Sequence, residues 1–109
     1  MDQLKPLELA NGEDDYLAAV QQVRDQVLAL QRQHREQQPY WVVMTDQTSD
    51  APGAFLARLW LCFGSPTPVA TKNLVRAASL REIRNLLPRG MAVLPRLPAD
   101  DPVIVEVWV

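Results

Sequence analysis

His34, Cys62 and the serines Ser49, Ser65 and Ser79 are where nucleophilic or metal chemistry would have to begin. None of them has the company such chemistry needs. His34 is the single histidine and sits in the polar run 31–38, so a serine–histidine pair would have to recruit it from a solvated segment. No G-x-S-x-G elbow surrounds any of the three serines. One cysteine and one histidine fall short of the ligand set of an ordinary zinc site. Asp46, Thr48 and Asp50 alternate as at the start of a calcium loop. The pattern fails at its sixth position, Ala51 in place of glycine, and at its twelfth, Ala57 in place of a bidentate glutamate. Asp100 and Asp101 stand before Pro102 as a turn, and the four glycines are too scattered to cradle a phosphate. The residues therefore predict a non-catalytic protein with no cofactor and no metal.

The elements that position these side chains can be read from periodicity. The run AFLARLWLCF, 54–63, places Phe55, Ala57, Leu59, Leu61 and Phe63 on one side and Leu56, Arg58, Trp60 and Cys62 on the other. Two apolar sides suit a central strand. Cys62, the lone cysteine, excludes an internal disulfide and is expected to be a buried, inert thiol. The run YWVVMTD, 40–46, is expected to pair with it across the polar loop 47–53.

Residues 1–13 read as a leader broken by Lys5-Pro6 and Asn11-Gly12, and residues 14–109 as one α+β domain. Within it, 14–38 is a long helix and 39–109 a sheet with one short helix. Tyr16, Val20, Val23, Val27 and Leu30 recur at spacings of four and three, an apolar seam on one helical face. This seam has two partners available, the chain's own sheet or a second copy. A third strand is expected over 69–77. Ser79 and Glu82 form a capping-box pair ahead of a short helix that Pro88 and Gly90 stop. Residues 91–94 give a fourth strand, and VIVEVWV, 103–109, a fifth. The fold class is α+β in the order α-β-β-β-α-β-β, with a mainly antiparallel sheet of four to five strands. The strand–strand–helix–strand order resembles small antitoxin-type and double-stranded-RNA-binding-type domains, in architecture without a shared motif.

Strict alternation in 103–109 groups Ile104, Glu106 and Trp108 together. If this strand neighbours 54–63, Arg58 and Glu106 are expected to pair between Trp60 and Trp108. The long helix would then cover this tryptophan face and the short helix the valine face. The final strand also reads as an edge open to pairing.

The net charge of −2 hides an asymmetry. Residues 1–38 carry four basic and seven acidic side chains, whereas 72–96 carry Lys72, Arg76, Arg81, Arg84, Arg89 and Arg96 against Glu82. No apolar run approaches the roughly 18 residues of a membrane helix. No basic-then-apolar leader is present either, so a soluble, cytoplasmic protein is expected. The leading functional expectation is a protein-interaction or homodimerisation module, its partner itself or another protein. Its interface is expected at Tyr16, Val20, Val23, Val27, Leu30, Trp60 and Trp108, with no membrane involved. The alternative is a nucleic-acid-binding regulator using Lys72, Arg76, Arg81 and Arg84.

Overall fold

The computed structural model describes residues 13–46, 54–63 and 67–109, and side chains within the first helix from Leu17 onward. Helix α1 spans Glu13–Gln33 and is followed by a single 3-10 turn, Arg35–Gln37. The regular helix thus ends five residues before Gln38, which takes a left-handed conformation (φ 49°) ahead of Pro39. Strands β1 (Tyr40–Thr45), β2 (Phe55–Leu61) and β3 (Val69–Ala77) come next, then α2 (Leu80–Leu86), β4 (Val93–Pro95) and β5 (Ile104–Trp108). The five strands form one sheet in the order β3-β2-β1-β5-β4, antiparallel throughout.

Both helices lie on the same side of this sheet. The seam residues Val20, Val23, Val27 and Leu30 share one core with Trp41 and Val43 of β1, Ala57, Leu59 and Leu61 of β2, and Val75 and Ala77 of β3. Ile83 and Leu86 of α2 join the same core, and Trp41 Nε1 donates to Gln31 Oε1 of α1 (3.1 Å). A five-stranded face is about 19–24 Å wide. Two helices packed about 8–10 Å apart fill that width and leave neither for the other side.

Local chemistry explains the helix ends. Ser79 Oγ accepts from the Glu82 amide (3.2 Å) and its hydroxyl meets Glu82 Oε2 (3.3 Å), so the short helix starts where the capping pair placed it. Past Leu86 the chain turns at Gly90, whose φ of 89° favours glycine, and enters β4.

Three expectations fail on strand order and register. The β1–β5 pairing matches Trp41 with Trp108 and Val43 with Glu106, then slips so that Met44 faces Ile104. This bulge leaves Val105 as the extra residue, packed against the core. Glu106 and Trp108 consequently face the helices, while Ile104 faces away. The expected Arg58–Glu106 pair does not form, because β1 separates the two strands and the two side chains lie on opposite faces. Trp60 and Trp108 are likewise on opposite faces, so the single tryptophan face expected from strict alternation does not exist. Nor is β5 an edge, since β1 and β4 flank it.

The true edges are β3 and β4. β4 is three residues long and ends in Pro95, and β3 slips register between its pairings of Leu74 and Ala70. Thr71 patches that slip: its hydroxyl donates to the Leu59 carbonyl (2.8 Å) and accepts from the Asn73 amide (3.1 Å). A short proline-ended strand and a bulged strand bearing an exposed Lys72 are both poor templates for edge pairing.

Candidate interaction face

No described element covers the second face of the sheet. Register assigns to it Tyr40, Val42 and Met44 from β1, Leu56, Arg58 and Trp60 from β2, and Ala70, Leu74 and Arg76 from β3. Ile104 and Val107 of β5 and Leu94 of β4 complete it. An antiparallel sheet with one solvated face ordinarily alternates apolar inside with polar outside. Here ten of these twelve positions are apolar or aromatic and the charged ones among them are two arginines. Val42, Leu56 and Leu74 are buried, Met44, Ile104 and Val107 half-buried, and Leu94 is 48% exposed.

The polar groups of this face are unevenly satisfied. Arg76 Nε lies 3.2 Å from Asp46 Oδ2, an ion pair whose carboxylate is buried at the rim of the sheet. Arg58 donates one N–H to the Thr71 carbonyl (2.7 Å) and has no carboxylate partner among the described residues. The Trp60 ring stacks on Tyr40 (centroids 6.2 Å apart, planes 20° from parallel), yet its Nε1–H is buried without an acceptor. An unpaired buried donor costs about 1–3 kcal/mol.

At one end of the sheet the apolar character runs on into a recess of about 400 Å3 lined by Gln38, Pro39, Tyr40, Cys62 and Val109. Burial, and secondarily the neighbouring Cys62, push the Tyr40 phenol above its ordinary pKa. Cys62 itself is half-buried just beyond β2, more accessible than a core thiol, and its amide donates to the Gln37 carbonyl (2.7 Å). Phe63 beside it is 57% exposed. His34 is half-buried in the turn after α1, where Nδ1 donates to Gln37 Oε1 (3.2 Å).

The remaining expected site residues are dispersed. Val20, Val23, Val27 and Leu30 are all buried in the chain's own core, so the helical seam meets its own sheet; the Tyr16 side chain lies outside those described. Trp108 is buried on the helix side and donates to Glu106 Oε2 (2.7 Å). Arg84 reaches across from α2 and donates from Nε (3.1 Å) and Nη2 (2.6 Å) to the two Glu106 oxygens. Those hydrogen bonds hold the Glu106 carboxyl below its ordinary pKa and raise that of Arg84, although burial of Glu106 works the other way. The basic run is thereby split. Lys72 and Arg76 lie on β3, Arg76 with a counter-ion, while Arg81 and Arg84 lie on α2, Arg84 tied to Glu106. Sequence reasoning missed Val42, Met44, Ile104 and Val107 as a set, because only the bulge and the strand order bring them together.

Among the described residues no three histidine, cysteine, aspartate or glutamate side chains converge as a metal site, and no helix is long and apolar enough to cross a membrane. Comparison of the chain with protein-family models, curated proteins and solved structures gives no match.

Proposed function

We propose that the chain is a non-catalytic protein-interaction module whose binding surface is the sheet face opposite its two helices. The observation that carries this reading is the apolar character of a sheet face on which no described element packs, with the Tyr40–Trp60 stack at one end. Aromatic anchors set among aliphatic side chains are the usual core of a protein interface, with polar groups at its rim. The helical seam is not part of the surface, because its apolar side chains are used in the core.

A hydrophobic, environment-sensitive dye combined with light scattering over a concentration series tests the reading. A monomer that binds the dye, and loses it in a Met44→Asp/Val107→Asp variant, supports an open face. A mass that doubles with concentration in the wild type alone supports a second copy as occupant. A monomer indifferent to the dye would set the proposal aside.

A further inference from the structure

We infer that the cleft between the two helices is a second binding site, separate from the sheet face, and that it takes one large apolar side chain of a peptide segment whose neighbouring residues are acidic. Arg24 and Leu28 of α1, with Leu86, Leu87, Pro88 and Arg89 at the end of α2, line a recess of about 180 Å3. Leu86, Leu87 and Pro88 are buried and make its floor. Its walls are accessible: Leu28 is 39% exposed, Arg24 half-buried and Arg89 exposed. Small-molecule sites run to about 300–1,000 Å3, so a recess of this size suits a single side chain. The apolar surface continues beyond it along α1. Leu17, which is 56% exposed, lies with Arg24 and Leu28 within about 40° of one line on the helix, at about 100° per residue.

Charge decides what kind of segment fits. Arg84 of α2 is answered by Glu106 from within the chain. Arg24 and Arg89 have no carboxylate partner among the described residues, whose ion pairs are Arg76–Asp46 and Arg84–Glu106. Asp25, next to Arg24 in sequence, instead accepts from Gln21 Nε2 (2.8 Å). Two cations from different elements thus border one apolar recess. A guanidinium lays its stem along apolar surface and presents five N–H groups in a planar fork that matches a carboxylate. The complement is an apolar anchor between carboxylates. Anchors seated in a pocket and ringed by polar contacts carry most of the energy of a protein interface. A nucleic-acid backbone or an anionic membrane surface would meet the arginines but offer nothing to fill the recess.

The test is selection from a random peptide library displayed on phage, against the immobilised full chain. Enriched peptides are resynthesised and titrated against wild type, Arg24→Met/Arg89→Met, Arg24→Lys/Arg89→Lys, Leu28→Glu and Met44→Asp/Val107→Asp, each first shown folded by circular dichroism. The peptides should carry a leucine, phenylalanine or tryptophan flanked by aspartate or glutamate. Affinity should fall roughly tenfold or more in Arg24→Met/Arg89→Met, in Leu28→Glu and on replacing the acids by their amides. The lysine variant should keep part of the affinity, and Met44→Asp/Val107→Asp should bind as wild type does. No enrichment, peptides lacking either the acids or the large apolar residue, or equal binding by Arg24→Met/Arg89→Met would overturn the inference. Binding lost in Met44→Asp/Val107→Asp but kept in the two arginine variants would overturn it too, and would assign the peptide to the sheet face. A double-stranded oligonucleotide or a phosphatidylglycerol vesicle that binds wild type but not Arg24→Met/Arg89→Met, with no peptide enriched, would give the arginines to phosphate and equally overturn it.

Discussion

Glu106 shows how a charged side chain is kept inside the helix side of the sheet. It is 4% exposed, and its two oxygens take three donors: Nε and Nη2 of Arg84, and Nε1 of Trp108. Its pKa in the folded protein lies below its ordinary value of 4.5, so the stabilisation is fully present above that value and is lost as pH falls below it. Denaturant midpoints measured down through this range should therefore fall. Arg84→Ala should cost about 1–2 kcal/mol near neutral pH, at the low end for a buried carboxylate because Arg84 is itself more than half exposed. It should also shrink the Glu106-linked acid loss, because the carboxyl would then titrate closer to its ordinary value. An Arg84→Ala protein with an unchanged midpoint and acid profile would mean the pair contributes nothing.

At the scale of elements, the long helix and the capped short helix were legible because their signals are local. Val20, Val23, Val27 and Leu30 repeat within one helix, and Ser79 and Glu82 are three residues apart. What the helical seam packs on was not legible, since the same pattern serves a partner chain or a sheet. The structure places Val27 at 0% exposure and its neighbour Leu28 at 39%. Val27→Ala should accordingly cost about 2 kcal/mol, whereas Leu28→Ala should stay within about 0.5 kcal/mol. Equal costs in thermal or chemical melts would contradict this orientation. The bulge beside Val105 was invisible for a different reason. An alternation of Val, Ile, Val, Glu, Val and Trp reads equally well with or without one extra residue, and Glu106 meets Arg84, 22 positions earlier in the chain, where no local pattern announces it. The candidate site inherits that limit: Arg58 and Trp60 could be placed together on one side of a strand, but not their neighbours Ile104 and Val107.

For the molecule as a whole, the described elements cover the sheet unevenly, with both helices on one side holding the core. Deleting α1, leaving residues 39–109, removes four core side chains and uncovers Trp41, Val43 and Leu59. That fragment should show no cooperative melting transition by circular dichroism. A folded fragment would mean the helix is an appendage of an already sufficient core. The opposite face carries no further layer among the described elements, its Met44, Ile104 and Val107 being half-buried and its Val42, Leu56 and Leu74 buried.

The strand order carries a consequence for synthesis on the ribosome. β5 is made after every other described element, yet it lies between β1 and β4 and is the only neighbour β4 has among them. It also supplies Glu106, to which Arg84 of α2 is tied. Until residues 104–108 emerge, β1 is a bare edge, β4 has nothing to join and α2 lacks its ionic anchor. The nascent chain is confined to an incomplete three-stranded intermediate, and closure of the sheet is a single late event governed by contacts distant in sequence.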